Sequence, residues 1–221
     1  MHSILAILIA AAPVPVPPAP LASGLPQATG VVEGVVRLHL RPPRRVANRY
    51  PGKPAGTHAV QSLPAVVWIR GSIPGVGNPP LSPVPVMAQQ DTAFVPAARV
   101  IPVGTTVRFP NEDTFFHNVF SYSKPARFDL GRYPRGEAKE VTFDEPGIVK
   151  VYCEVHEFMR AAIVVTENPF AAVLDGDGRF RFAGVPAGTY TLVAWHPDLG
   201  MAEREIRVEA GGALHIDLDL K

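Results

Sequence analysis

Cys153-Glu154-Val155-His156-Glu157-Phe158-Met159 places a thiol, an imidazole and a thioether at three-residue intervals. The run before it, residues 147–152, reads as a strand that delivers the cysteine to its end. A second histidine lies 36 residues upstream, in Phe116-His117-Asn118-Val119. Cysteine and methionine are soft sulfur donors, and histidine is an intermediate nitrogen donor. Two histidines and a cysteine in a trigonal set, with a weak axial methionine, make the blue-copper electron-transfer arrangement. Soft sulfur suits Cu(I), and imidazole serves both oxidation states. A site between the two preferred geometries moves little when the electron arrives.

Working outward, short apolar runs alternate with turn signals. Thr105 to Phe109 alternates and stops at Pro110-Asn111, Glu140 to Phe143 alternates before Glu145-Pro146-Gly147, and Ala161 to Thr166 is apolar. Short strands at this spacing predict a β-sandwich or barrel. The 221 residues include 25 prolines and 19 glycines, too many breakers for a helical bundle. Hydrophobic residues at 47 % suffice for a core, which argues against wholesale disorder. Charge is balanced, 21 Lys+Arg against 20 Asp+Glu, so the basic excess of a nucleic-acid binder is missing. Cys153 is the single cysteine, so no internal disulfide exists.

Residues 86–167 resemble the cupredoxins, the plastocyanin- and amicyanin-like type 1 blue copper proteins. The matching features are His117, the Cys153-x2-His156-x2-Met159 loop of the short amicyanin type, Asn118, and the flank Val103-Gly104-Thr105-Thr106-Val107-Arg108-Phe109 with Asn111. The resemblance implies a Greek-key β-sandwich or barrel holding one type 1 copper ion. By resemblance, His117 and His156 are equatorial nitrogens, Cys153 the thiolate and Met159 the axial thioether. Asn118 matches the asparagine that hydrogen-bonds across to the ligand loop. His156 matches the solvent-facing edge through which electrons enter, flanked by Glu154, Glu157 and Phe158. Three other readings of the same residues stand beside it. A lone cysteine is commonly an inert core residue, and Met159 would then be core as well. Structural zinc normally takes four Cys/His ligands, whereas Cys153, His156 and His117 make three. A nucleophilic Cys–His dyad needs a separately placed base and oxyanion donors.

The tail resembles a second family. Asp175-Gly176-Asp177-Gly178-Arg179-Phe180-Arg181-Phe182 and Gly184-Val185-Pro186-Ala187-Gly188-Thr189-Tyr190-Thr191-Leu192 are similar to the second half of a carboxypeptidase regulatory-like (transthyretin-like) β-sandwich. Its opening strands are absent just before Asp175, but Gly34-Val35-Val36 and Ala65-Val66-Val67-Trp68-Ile69 fit them. The expected class is therefore all-β, with a small discontinuous sandwich of residues 30–82 plus 168–221 and a cupredoxin domain, 83–167, inserted. An N-terminal extension, a cupredoxin and a small C-terminal module in series is the simpler alternative. Asp175-Gly176-Asp177-Gly178 fails the calcium-loop pattern, because Arg179 and Pro186 stand where ligands belong; a hairpin turn is expected there. The strict alternation from Leu214 to Leu220 predicts a final strand.

Residues 4–12 form an apolar run followed by a Pro/Ala tract, so residues 1–24 are expected to hold a signal peptide. Nine apolar residues are too few to span a bilayer, which needs about 20. The expected location is periplasmic or secreted, with no stable membrane anchor. Residues 24–82 carry seven Lys+Arg, Arg44, Arg45, Arg49 and Lys53 among them, against Glu33 alone. That imbalance reads first as a solvated loop and second as a docking patch for an acidic partner. His196, in Trp195-His196-Pro197, is expected to pack at a turn, and His39, His58 and His215 lack ligand spacing. The expected function is electron carriage between transient protein partners, a cytochrome, dehydrogenase or oxidase, without catalysis and without nucleic acid. Copper storage or delivery is the alternative.

Overall fold

The computed structural model describes residues 28–40 and 61–221. The expected signal peptide, the basic cluster Arg44, Arg45, Arg49 and Lys53, and His58 lie outside the described residues. Among the described residues every regular element is a strand. β1 (Thr29–Leu38) and β2 (Val66–Ile69) come first. The middle of the chain holds β3 (Ala88–Gln90), β4 (Ala93–Val95), β5 (Ala98–Pro102), β6 (Thr105–Pro110), β7 (His117–Ser123) and β8 (Ala126–Tyr133). It continues with β9 (Ala138–Phe143), β10 (Gly147–Tyr152) and β11 (Arg160–Thr166). The last part holds β12 (Ala171–Val173), β13 (Arg179–Pro186), β14 (Gly188–His196), β15 (Gly200–Val208), β16 (Ala213–His215) and β17 (Leu218–Leu220).

The middle strands build one sandwich. Its main sheet has the order β5-β11-β10-β7-β8, and β6 pairs with β9, and β3 with β4, to cover it. Phe94, Phe109, Phe143, Val149, Val151 and Ile163 fill the space between. Every second residue of β6 and β10 points inward, as half-buried strands require.

The flanking strands build a second sandwich from both ends of the chain. One sheet has the order β13-β1-β16, with β17 also on β1; the other has the order β12-β2-β14-β15. Val32 lies opposite Phe182, and Val67 opposite Ala194. Their core contains Val36, Ile69, Phe180, Leu192, Ile206 and Leu220.

The two sandwiches touch through strands buried on both faces. In β2, Val67 and Ile69 enter the second core, while Val66 and Trp68 face the other way. In β11, Ile163 and Val165 enter the first core, while Ala162 and Val164 turn outward. In β14, Leu192 and Ala194 enter the second core, and Val193 and Trp195 turn outward. The outward residues meet in a third apolar cluster with Leu63 and Ala98. Period-2 alternation thus serves two cores at once, so these strands are apolar throughout.

Two expectations change. The 175–178 segment is a turn, with the Gly178 amide donating to the Asp175 carbonyl at 2.9 Å, but not a hairpin. It joins β12 in one sheet to β13 in the other. Gly178 has φ +67°, and a Cβ there would come 2.2 Å from the Val36 carbonyl oxygen, so only glycine fits the crossing. The 213–220 strand is interrupted, although Val31↔Ala213 and Leu38↔Leu220 keep one register along β1. The Asp217 carboxylate accepts the Val35 amide at the break. Finally, β8 was not anticipated; its alternation puts mostly exposed charged residues against half-buried Phe128 and Leu130.

Candidate metal centre

The pairing of β7 with β10 brings the donor residues together. β7 opens with His117; β10 ends at Tyr152, opposite Phe120, and hands the chain to Cys153. The 153–159 loop then turns back, the Met159 amide donating to the His156 carbonyl at 2.9 Å, before β11 begins. Cys153 Sγ lies 3.6 Å from His117 Nδ1, and His156 Nδ1 lies 3.1 Å from that same atom. One donor atom from each residue falls within 4.8 Å of the others. His117, Cys153 and Met159 are buried, and His156 is half-buried. Met159 shares the apolar core around Cys153.

His117 is oriented from behind. Its Nε2–H donates to Asp113 Oδ2 at 2.8 Å, which leaves Nδ1 as the lone-pair atom facing Cys153 and His156. The same carboxylate accepts the backbone amides of Asp91 at 2.7 Å and Thr92 at 3.0 Å. Burial pushes the Asp113 carboxyl up. The Thr92 amide, the His117 ring and the Asp91 amide outweigh it and hold the group below the usual carboxylate range. Asn111 fixes the approach: its Oδ1 accepts the Asp113 amide, and its Nδ2 donates to the carbonyls of Phe115 and Tyr133.

Asn118 Oδ1 accepts the Glu154 amide at 2.7 Å, tying β7 to the residue after Cys153, as expected. Phe115 packs against both histidines, with centroids 5.1 Å from His117 and 5.3 Å from His156. Phe158 contacts His156 at 5.7 Å. A buried thiol and two imidazole nitrogens aimed at one point, with a thioether residue in the same core, fit a soft one-electron metal such as copper. The carboxylate–histidine contact behind His117 is the usual outer support of a metal-bound imidazole.

Of the residues singled out from sequence, the fold gathers His117, Cys153 and His156, and it puts Met159 at the end of their loop. His196 packs at a turn as expected, buried and donating from Nε2 to the Leu63 carbonyl. His39 pairs with Asp219, and His215 with Asp217, in the second sandwich. Asp113 was missed. The signal available was an acidic residue four before His117 within Asn111-Glu112-Asp113-Thr114, a turn-forming stretch.

Residues 84–166 match the model for copper binding proteins of the plastocyanin/azurin family. Residues 158–221 match the carboxypeptidase regulatory-like domain. The two matches overlap on β11, which hydrogen-bonds within the first sandwich and packs its outer face on the second. Among solved structures, a Cu-containing nitrite reductase from Thermus scotoductus is 33% identical over 42% of this chain, with a TM-score of 0.37. This chain spans 24% of that enzyme's length. An amicyanin variant in its Cu(I) state is 22% identical, covering 45% of this chain and 97% of its own, with a TM-score of 0.35. A purple cupredoxin from Nitrosopumilus maritimus is 26% identical, covering 37% and 96%, with a TM-score of 0.32. Residues 84–166 are thus similar to the copper binding proteins of the plastocyanin/azurin family, and residues 158–221 to the carboxypeptidase regulatory-like domain.

Proposed function

We propose that the chain holds one type 1 copper ion between His117, Cys153 and His156, with Met159 as a weak axial ligand. In this reading it carries single electrons between proteins and is not itself an enzyme. The observation that carries the reading is the convergence of Cys153 Sγ and His156 Nδ1 on the one bare nitrogen of His117, at 3.6 and 3.1 Å. Bound there, copper supplies a one-electron Cu(II)/Cu(I) couple. The chain's own residues do the rest. Asp113 fixes the His117 tautomer. Asn118 pins the loop beside Cys153. Burial keeps water from Cys153 and Met159. A ligand set held this way changes little between oxidation states.

His156 is the most exposed of the three donor residues and serves as the electron edge. Phe115, Phe116 and Val155 are exposed in the adjoining segments and offer an apolar rim. Transient redox encounters need only small interfaces. A cytochrome, dehydrogenase or oxidase is the class of partner. Residues 83–167 carry nine Lys+Arg and eleven Asp+Glu, too even for strong steering. Residues 30–82 and 168–221 are read as one discontinuous sandwich around the inserted copper domain; the pairing of β1 with β13 and of β2 with β14 supports this. Export through a signal peptide in residues 1–24 completes the reading, and no helix among the described residues is long and apolar enough to cross a membrane.

The test is a titration of metal-free protein with Cu(II). The expected result is intense visible thiolate-to-copper absorption that saturates at one ion per chain, with reversible one-electron reduction. Tight binding without colour would favour storage or delivery instead.

A further inference from the structure

The second sandwich reaches the ligand loop directly. Arg160 follows Met159, and its guanidinium is a fork with two ends in use. Nη1 and Nη2 donate to Asp198 Oδ1 and Oδ2, each at 2.7 Å, and Nε donates to the Gln61 carbonyl at 2.8 Å. Gln61 also acts on the residue before Met159, its amide donating to the Phe158 carbonyl at 3.1 Å. The Gln61 side chain anchors it to the first sandwich: Nε2 donates to the Phe94 carbonyl and Oε1 accepts the Phe94 amide. Asp198 lies in the turn between β14 and β15. Its amide donates to His196 Nδ1 at 3.2 Å, and buried His196 donates from Nε2 to the Leu63 carbonyl at 3.1 Å. Leu63 and Trp195 then join the apolar cluster between the sandwiches.

Met159 is therefore bracketed on both sides, at Phe158 and at Arg160, by groups outside residues 84–166 or by what those groups hold. A bidentate guanidinium–carboxylate pair is directional as well as charged, and Arg160 is mostly buried, with 21% of its side chain exposed.

We infer that the regulatory-like sandwich positions the metal loop through Asp198, acting on Arg160, and that Gln61, in the segment before β2 and pinned to Phe94, completes the clamp by acting through Phe158; together they hold the Met159 end of the loop in register with Cys153. Asp198 and Gln61 are positioning residues and touch no donor atom of the cluster. This inference rests on the reading of Met159 as axial ligand for its effect on the metal, but not for its effect on the loop. A weak axial contact is sensitive to small displacements of the sulfur, so a clamp there sets redox properties from the neighbouring sandwich. It gives the second sandwich a task that a free-standing copper domain must meet within its own residues.

The test uses the full chain with Asp198→Ala and Arg160→Lys, and Glu203→Gln as control, because Glu203 pairs with Arg70 at a surface away from the loop. In metal-free protein, hydrogen exchange at the Met159 amide, which donates to the His156 carbonyl, is expected to rise about tenfold in Asp198→Ala. It should rise less in Arg160→Lys and stay unchanged in Glu203→Gln. In Cu(II)-loaded protein, one ion per chain should still bind while the ratio of the visible absorption bands and the potential shift in the first two variants alone. Exchange in Asp198→Ala within twofold of the parent overturns the clamp. Faster exchange with unchanged bands and potential overturns its effect on the metal. A parent protein that takes up no copper sinks the functional reading instead, and the exchange data still decide the clamp.

Discussion

His117 Nε2–H donates to Asp113 Oδ2 across 2.8 Å, and both side chains are buried. The carboxylate in turn takes the amides of Asp91 and Thr92, which sit in the β3–β4 turn at φ +53° and +58°. The orientation of one donor ring is thus inherited from a turn two strands away. Asp113→Ala frees the ring and strands two amides. Copper affinity should fall about 10- to 100-fold. Stability should drop by about 1–3 kcal/mol. Competition against a chelator and denaturant unfolding measure the two effects separately.

Cys153→Ser exchanges sulfur for oxygen in a buried position of nearly the same volume. The far-ultraviolet dichroism of the β fold should be retained. Colour and reversible reduction should vanish together, because the visible band depends on the thiolate. A variant that stays blue would remove Cys153 from the site.

Met159→Leu and His117→Ala should separate a weak ligand from a strong one. Leucine is close to methionine in size, so packing in the shared core should cost less than about 1.5 kcal/mol. Copper should still bind, the protein should stay coloured, and the potential should rise. His117→Ala removes a buried ring and opens a hole, so colour should be lost and partly restored by added imidazole. Loss of copper from Met159→Leu would show that Met159 is no axial tuner.

Acid should weaken the junction between the sandwiches before it reaches the carboxylates. Burial holds the His196 imidazole below its usual value, against the opposing pull of Asp198 and the Leu63 carbonyl. The unfolded chain gains that proton near pH 6.5, and the folded one only lower. The stability His196 contributes is therefore complete above about pH 6.5 and drains away as pH falls through the lower folded value. The hydrogen bond from Arg160, ahead of the opposing effect of burial, holds the Asp198 carboxyl below its ordinary value. Its contribution is kept until about pH 4 and lost below. In metal-free protein, His196→Gln should flatten the melting temperature against pH below about 6.5 relative to the parent. An unchanged slope would remove His196 from that window.

The donor set was legible because it is local: three of the four residues lie within seven positions, and their spacing follows from one loop after one strand. The strands of the second sandwich were legible too, because Ala65-Val66-Val67-Trp68-Ile69 is unbroken and apolar. What that run also encodes, burial on both faces, shows only once Trp68 and Val164 are found in the same cluster. The Arg160–Asp198 pair had no sequence signal at all, since 38 residues separate the partners and only docking of two sheets brings them together. The reversal at Gly178 looked like a hairpin because turn chemistry fixes the bend and not the sheet to which the next strand goes.

The common wall of Trp68, Val164, Val193 and Trp195 has a practical consequence for anyone trimming this chain. A fragment cut at the edges of the copper-binding match would send Ala162 and Val164 into water along a whole strand face. The remnant would present the two bare tryptophans Trp68 and Trp195, an apolar surface that invites self-association. Soluble pieces should therefore be sought only by keeping both halves and replacing the wall residues with polar ones, so that the seam is redesigned before it is cut.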